Sequence, residues 1–155
     1  AERNEDINIV IDAGGLYYMK EFGCPSNAII TPHPGEAAML LDCSVEELQK
    51  NRLEAAKELY KRYNCLIILK GYQTIVFDGE AYQCTDGGPA LSTAGTGDVL
   101  AGLIGSFLAQ GLSKIDAARF SVAIHGAAGD KFSKNKGVRG LTATKLIKII
   151  NEEML

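Results

Sequence analysis

Short runs of apolar, mostly β-branched residues alternate along this chain with longer stretches in which apolar residues recur at helical spacing. The short runs predict three buried parallel strands, at residues 7–11, 28–30 and 65–69. Two further runs, 74–77 and 81–84, flank the turn sequence Asp78-Gly79-Glu80 and predict a hairpin.

The stretches with helical spacing predict six helices, at residues 16–21, from 34, 44–63, about 98–110, 113–132 and 142–152. Pro34 suits the first position of a helix, and Ser44 with Glu47 forms a capping box. Gly111 is the predicted stop of the fourth helix. The apolar face of the last helix consists of Ala143, Leu146, Ile147 and Ile150. Strands and helices that alternate in this way predict an α/β fold with a largely parallel sheet.

Composition limits the class of protein. With 155 residues, 46% of them hydrophobic, the chain can bury a substantial core, and we expect a single domain over residues 1–155. The net charge is −3 and the sequence shows no basic cluster, which argues against nucleic acid or an anionic membrane as partner. No apolar run approaches the roughly 20 residues that cross a bilayer.

The cysteines indicate a compartment. The four of them, Cys24, Cys43, Cys65 and Cys84, are widely spaced and form no C-x-x-C pair. Two lie in apolar surroundings, so buried free thiols are favoured over disulfides or a zinc site. We therefore expect a protein of the reducing cytoplasm.

Polar residues follow each predicted parallel strand, and the carboxyl ends of such strands meet at one edge of the sheet. These polar residues are Asp12, Thr31-Pro32-His33 and Lys70-Gly71. A glycine-rich loop, Gly95-Thr96-Gly97-Asp98, opens an apolar helix, where unpaired backbone N–H groups can bind phosphate. Asp98 would repel a phosphate that is merely bound, but it is suited to take a proton from a hydroxyl beside the phosphate being transferred. The pattern predicts a site at this edge, with Asp98 as its base.

Other candidate residues also have ordinary structural interpretations. His33 could be a solvated residue at a helix entrance, Lys70 could reach to water past a buried strand, and Thr74 could be a strand residue. His125, among Ala and Gly on a predicted helix, is typical of a hydrogen-bonded core histidine. Asp130 opposes the dipole at the end of that helix, which suggests a specific partner, although an exposed carboxylate is the commoner case.

Three segments resemble the ADP-dependent NAD(P)H-hydrate dehydratases, a family of the ribokinase-like superfamily. They are Thr31-Pro32-His33-Pro34-Gly35-Glu36, then Leu69-Lys70-Gly71 with Thr74, and then Gly88-Pro89 through Thr93 to Gly102. The resemblance runs from Asp12 to the last helix. The first segment discriminates best, because the Gly-Thr-Gly-Asp motif is shared with many sugar and vitamin kinases of the superfamily.

The resemblance implies a three-layer ribokinase-like fold, with a mostly parallel sheet between helices on both faces. It implies repair of nicotinamide nucleotides, in which the (S)-hydrate of NADH or NADPH is dehydrated through a phosphorylated intermediate. ADP (or ATP) would be the co-substrate, and ADP would yield AMP and phosphate. Mg²⁺ would bridge the phosphates without a dedicated carboxylate cage, and the protein would be a homo-oligomer, with tetramers as the family pattern.

The same resemblance implies roles for individual residues. Asp98 would be the catalytic base, and Gly95, Thr96 and Gly97 would form an anion hole. His33 would bind the hydrated nicotinamide together with Asp98. The nucleotide would be held by Gly97 and the segment Lys70, Gly71, Tyr72, Gln73 and Thr74.

The chain departs from the family pattern in two ways. In the turn after Asp12-Ala13, Gly14 replaces the aspartate that is usual there, while Tyr17 fills the later position that is usually Asn or aromatic. Family members also carry further strands before the strand predicted at 7–11, so the fold is expected to be incomplete at its N-terminal side. A strand this apolar should have neighbours on both edges. Two other functions stay open: a small-molecule kinase that stops after phosphorylation, and a non-catalytic nucleotide-binding fragment.

Overall fold

A five-stranded sheet organises residues 7–153, the part of the chain that this computed structural model describes. The strands are β1 (Ile9–Ile11), β2 (Ala28–Ile30), β3 (Leu66–Leu69), β4 (Ile75–Phe77) and β5 (Ala81–Gln83), and they lie in that order across the sheet. The first three are parallel, with Ile29 opposite Leu66. The last two form the predicted hairpin: β4 pairs antiparallel with β3, and β5 pairs antiparallel with β4.

Seven α-helices accompany the sheet in the described part of the chain: α1 (Gly14–Phe22), α2 (Pro34–Leu41), α3 (Val45–Lys50), α4 (Arg52–Tyr63), α5 (Thr96–Ala109), α6 (Lys114–Lys136) and α7 (Ala143–Glu153). The single helix predicted over 44–63 is wrong, because Asn51 adopts a non-helical backbone with φ −147° and ψ 72°. Its side chain accepts a hydrogen bond from the N–H of Glu54 at 3.4 Å and so caps the second of two helices. Both capping devices predicted at Pro34 and Ser44 are confirmed.

Helices cover both faces of the sheet, as the alternation of side chains along the strands requires. Ile30, Ile67 and Leu69 pack with α1, α2 and α4 on one face. Ile29 and Leu66 pack with α5 and α6 on the other. The three-layer α/β arrangement expected from the sequence is therefore confirmed.

A third apolar cluster joins α6 to α7, where Phe132 packs with Leu146 and Ile150. Leu146 and Ile150 are buried as predicted, but Ile147 is 46% exposed. Ile149 packs against the cluster instead, so the predicted apolar face of this helix was wrong at one position.

Within the described residues β1 has one hydrogen-bonded neighbour, β2, and Ile9 is 39% exposed. The expectation of a second neighbour for β1 stays a prediction. All four cysteines have free thiols, and those of Cys65 and Cys84 are buried. No helix in residues 7–153 combines the length and the apolar character needed to cross a membrane.

Candidate active site

A cavity of about 620 Å³ opens at the carboxyl ends of β1, β2 and β3. Its lining includes Asp12, His33, Lys70 and the loop from Gly95 to Asp98, so the polar strand ends that the sequence singled out do meet at one edge. We call this cavity the strand-end cleft. Four segments far apart in the chain thus supply a cationic group, two carboxylates, an imidazole and a glycine-rich loop to one space.

The N-terminus of α5 faces the strand-end cleft. Gly95 is its N-cap residue in a left-handed conformation (φ 86°), and no side chain caps this helix end. Within residues 7–153, the backbone N–H groups of Gly97 and Asp98 and the Asp98 carboxylate have no hydrogen-bond partner. The helix begins at Thr96, ahead of the predicted start, which places Asp98 in the first turn with its side chain exposed. Unpaired donors at a helix N-terminus bind anions readily.

Hydrogen bonds of Thr96 hold the glycine-rich loop in place. Its side chain is buried, and its hydroxyl lies 2.6 Å from the carbonyl oxygen of Leu91 and 2.8 Å from that of Thr93. Its own carbonyl oxygen lies 2.8 Å from Nε2 of His125 on α6. Because a carbonyl can only accept, Nε2 carries the proton. Burial lowers the pKa of His125, which favours the neutral imidazole.

The sequence predicts a hydrogen-bonded core histidine at position 125, and the hydrogen bond of His125 agrees with that interpretation. However, the residue also lines the strand-end cleft. Its partner is 29 positions away, so no local pattern could have revealed that it holds the loop.

Lys70 points into the cleft and not to bulk water. Its Nζ donates to Oδ1 of Asp12 at 2.8 Å, and the Thr31 hydroxyl donates to the same oxygen at 2.7 Å. The side chains of Lys70 and Asp12 are only 18% and 14% exposed. Burial raises the pKa of Asp12, but the hydrogen bonds from Lys70 and Thr31 and the charge of Lys70 outweigh it and hold that pKa below its ordinary value.

The ion pair lies directly beside the glycine-rich loop. A methyl group at Gly97 would lie 3.2 Å from Nζ of Lys70 and 3.8 Å from Oδ2 of Asp12. The missing side chain at Gly97 therefore leaves room for a ligand to approach both the backbone and the ammonium group.

His33 caps α2. Its Nδ1 accepts hydrogen bonds from the N–H groups of Gly35 at 3.0 Å and Glu36 at 3.2 Å. Glu36 returns the contact by accepting from the N–H of His33 at 2.8 Å, which completes a capping box with histidine in the usual Ser or Thr position. Because Nδ1 accepts, the ring proton is on Nε2. The His33 side chain is 56% exposed and lines the cleft.

Among the segment 70–74, Lys70, Gly71, Tyr72 and Thr74 line the cleft. Gln73 does not, because its side chain turns to β5 and accepts a hydrogen bond from Gln83 at 2.9 Å.

The loop at residues 86–88 also lines the strand-end cleft, and a hydrogen bond connects it to α6. Asp130 accepts a hydrogen bond from the N–H of Gly87 at 2.9 Å, so the specific partner suggested for this carboxylate is present. Its predicted place at the end of the helix is wrong, because α6 continues to Lys136. A methyl group at Gly126 would lie 2.7 Å from the carbonyl oxygen of Asp86. The close contact between α6 and this loop therefore depends on glycine at position 126.

Comparison with known proteins identifies a matching family model, described as NAD(P)H-hydrate dehydratase, over residues 1–152. The chain is 42% identical over 145 residues to a bifunctional NAD(P)H-hydrate repair enzyme Nnr of Vibrio cholerae, covering 92% of this chain and 29% of that protein. It is also 42% identical over 127 residues to an ADP-dependent (S)-NAD(P)H-hydrate dehydratase of Neisseria meningitidis, covering 80% of this chain and 43% of that one.

A solved structure agrees with these sequence matches. The ADP/ATP-dependent NAD(P)H-hydrate dehydratase of Bacillus subtilis, co-crystallised with ATP/Mg²⁺, superposes with a TM-score of 0.87 at 34% identity. The match covers 94% of this chain and 53% of that one. The ribokinase-like fold expected from the resemblance is thereby confirmed. The chain spans about half the length of this solved relative and a smaller share of the two others.

Proposed function

Because the chain belongs to the NAD(P)H-hydrate dehydratase family, we propose that it carries the active site of an ADP-dependent (S)-NAD(P)H-hydrate dehydratase. The reaction returns the (S)-hydrate of NADH or NADPH to the intact cofactor and converts ADP to AMP and phosphate, with ATP as the alternative co-substrate. One observation carries the proposal: the Asp98 carboxylate, without a partner among residues 7–153, lies in a cleft beside unpaired backbone N–H groups.

The first step is phosphoryl transfer. Asp98 accepts the proton of the hydroxyl on the hydrated nicotinamide ring, and the freed oxygen attacks the terminal phosphorus of ADP. The bond from that phosphorus to the AMP oxygen breaks, and AMP leaves. Charge that builds up on the transferred phosphoryl oxygens is stabilised by the anion hole assigned to Gly95, Thr96 and Gly97, whose loop is held in place by Thr96 and His125. The N–H of Thr96 already donates to the Thr93 carbonyl oxygen at 3.2 Å, so Thr96 contributes by shaping the loop.

The second step is elimination. The lone pair of the ring nitrogen expels the new phosphate, so the ring carbon–oxygen bond breaks. The departing phosphate accepts a proton from the neighbouring ring carbon, which restores the double bond of the reduced nicotinamide. Phosphate is a far better leaving group than hydroxide, which is the reason for consuming a nucleotide.

Nucleotide binding is assigned to Lys70, Gly71, Tyr72, Thr74 and Gly97, which line the strand-end cleft. The side chain of Gln73, which the resemblance also implied, pairs with Gln83 outside the cleft and is not assigned a nucleotide contact. Lys70 is supported by its position, since its ammonium group lies in the cleft next to Gly97 and is oriented by Asp12. His33 is assigned to the hydrated nicotinamide, because its ring is exposed in the cleft and carries its proton on Nε2, which lies 3.5 Å from the Glu36 carboxylate.

Mg²⁺ fits this site as an ion carried by the nucleotide. Among residues 7–153 no three His, Cys, Asp or Glu side chains are grouped to hold a metal. Mg²⁺ is commonly bound through one or two carboxylates together with substrate phosphates and water. When bound, it would neutralise charge on the phosphates beside the anion hole.

The test is recovery of the absorbance of reduced nicotinamide when the chain is mixed with hydrated NADH, Mg²⁺ and ADP or ATP. Asp98→Asn should abolish recovery while ADP and AMP still bind by calorimetry. The matched control is Asp116→Asn, which changes a carboxylate in the first turn of α6, away from the cleft, and should leave activity unchanged.

Other outcomes separate the remaining functions. Recovery of absorbance without nucleotide consumption would exclude the phosphoryl-transfer mechanism. A stable phosphorylated alcohol as product would assign the chain to the small-molecule kinases. Nucleotide binding without any turnover would make it a non-catalytic nucleotide-binding fragment.

We also propose that the protein is a homo-oligomer. Tyr18 and Phe22 on α1 stack on each other and are 70% and 73% exposed, which is unusual for large apolar side chains on a monomer. Light scattering should give a mass of at least twice that of the monomer for the wild type. The double variant Tyr18→Ser/Phe22→Ser should have a lower mass. A wild-type mass equal to the monomer at all concentrations would contradict this proposal.

A further inference from the structure

A second cavity, of about 520 Å³, lies between the C-terminal half of α6 and α7, and it shares no lining residue with the strand-end cleft. Its charged lining residues are all cationic: Lys131, Lys136, Arg139, Lys145 and Lys148. We call it the basic cleft. The expectation that the chain has no basic cluster is wrong, because these residues are spread over 18 positions of sequence and only the pairing of α6 with α7 brings them together.

The concentration of charge is unusual for this chain. It has 16 Lys and Arg against 19 Asp and Glu, yet five of the 16 line one cavity and no Asp or Glu in residues 7–153 does. Lys131 already has an interaction of its own. Lys148 lies 4.0 Å from Glu152, in a pair whose side chains are 70% and 59% exposed and therefore weak. Like charges around a concave surface add their potentials and focus the field on its interior.

The floor of the basic cleft is apolar. Phe132 is only 7% exposed, and Ile149 lies beside it. Nζ of Lys145 lies 5.9 Å from the centre of the Phe132 ring and donates to the carbonyl oxygen of Gly140 at 2.8 Å. This arrangement fixes one cation at the edge of an apolar floor, while Lys136 and Arg139 are exposed at the rim.

We propose that the basic cleft binds an organic polyphosphate, a small ligand with at least two phosphate groups and a flat apolar portion, such as a nucleotide. Its volume lies within the range of about 300–1,000 Å³ typical of small-molecule sites. Arg139 and the lysines pair with phosphate oxygens, and the planar guanidinium can contact two of them at once. The flat portion lies on the apolar floor. This site is separate from the proposed active site and does not depend on the proposed function.

The test maps binding residue by residue, so that the two cavities are distinguished. Backbone amide NMR signals of the chain are followed during titration with inorganic tripolyphosphate and, separately, with ATP. Both should shift signals of residues 131–149 saturably, and ATP should bind there several-fold more tightly because its base adds contact with the floor. Lys136→Glu/Arg139→Glu should weaken tripolyphosphate binding at these signals roughly tenfold or more.

The matched control is Lys57→Glu/Lys61→Glu, which makes the same change in net charge at two exposed positions on α4. It should leave binding at residues 131–149 within about twofold of wild type. Arg139→Gln serves where the double reversal disturbs folding, as judged by its melting temperature.

Three results would overturn the proposal. Signal shifts confined to residues 95–98 would mean that only the strand-end cleft binds anions. Equal weakening by the control pair would mean non-specific attraction. Saturable binding of a polyglutamate peptide, with no response to either phosphate probe, would make the basic cleft a surface for an acidic protein.

Discussion

Replacing Asp12 by asparagine should measure how strongly the Lys70–Asp12 pair stabilises the strand ends. Asparagine keeps an oxygen for the Thr31 hydroxyl but removes the charge that balances Lys70. Breaking a fully buried pair costs about 3–5 kcal/mol, whereas breaking an exposed pair costs about 0–1 kcal/mol. The side chains of Asp12 and Lys70 are 14% and 18% exposed, so the cost of breaking this pair should lie between these two ranges. We expect the free energy of unfolding at pH 7 to fall by about 2 kcal/mol.

The pH dependence gives a second, independent signature. The pKa of Asp12 is lowered in the folded chain from its ordinary value of 3.8, so the folded state binds its proton less readily than the unfolded state. The stabilisation is therefore fully present above that value and is lost as the pH falls through the lower, folded-state pKa. The difference between wild type and Asp12→Asn should shrink as the pH falls below about 4.

Urea unfolding of both proteins, followed by circular dichroism between pH 7 and pH 3, measures this difference directly. The control is Asp42→Asn, which removes the same charge from ion pairs with Lys20 and Arg62, where the side chain of Asp42 is 61% exposed. That variant should lose much less stability at pH 7. An Asp12→Asn loss no larger than the control, or one that stays constant down to pH 3, would refute the reasoning.

Three further changes test other parts of the molecule. His33→Ala should lower the free energy of unfolding by about 1 kcal/mol through loss of the helix cap, and should weaken hydrate binding more than AMP binding in calorimetry; equal losses would mean that His33 only shapes the loop. Gly126→Ala should lower the melting temperature, at a cost of about 1–3 kcal/mol, because its methyl group would lie 2.7 Å from a backbone carbonyl oxygen. Gly105→Ala, in open space on α5, should raise the melting temperature through a gain of about 0.5–1 kcal/mol in the free energy of unfolding. A change of the same sign in both variants would contradict this account. Interaction with the Cys65 thiol lowers the pKa of Cys24, and interaction with Cys24 together with burial raises the pKa of Cys65. Mass spectrometry should therefore find Cys24 alkylated before Cys65 at neutral pH, and the reverse order would be inconsistent with this pairing.

Local patterns predicted most of the secondary structure because the signals involved are local. Pro34, Ser44 and Ser113 each begin or cap a helix through contacts within three residues, and the sequence carries all the parts. The break at Asn51 was missed because apolar spacing continues through it. Ile147 was wrongly predicted on the apolar face of α7, because Ile149 packs against the cluster with α6 and Ile147 is exposed.

The candidate site was predictable in its membership but not in its internal contacts. The rule that strand ends converge brought Asp12, His33 and Lys70 together without any knowledge of distances. The bond from Lys70 to Asp12 joins residues 58 positions apart, and the bond from His125 to Thr96 joins residues 29 apart. Such partners depend on how helices and strands stack in three dimensions, which no pattern along the chain contains.

The way in which Thr96 is anchored has a consequence for how this segment can vary among relatives. Its hydroxyl reaches the main-chain oxygens of residues 91 and 93, and its own main-chain oxygen receives the imidazole. Only the identities of Thr96 and His125 matter to this anchor, since every amino acid supplies a carbonyl. Profiles built to detect distant relatives should therefore weight those two positions together and tolerate substitution at 91 and 93.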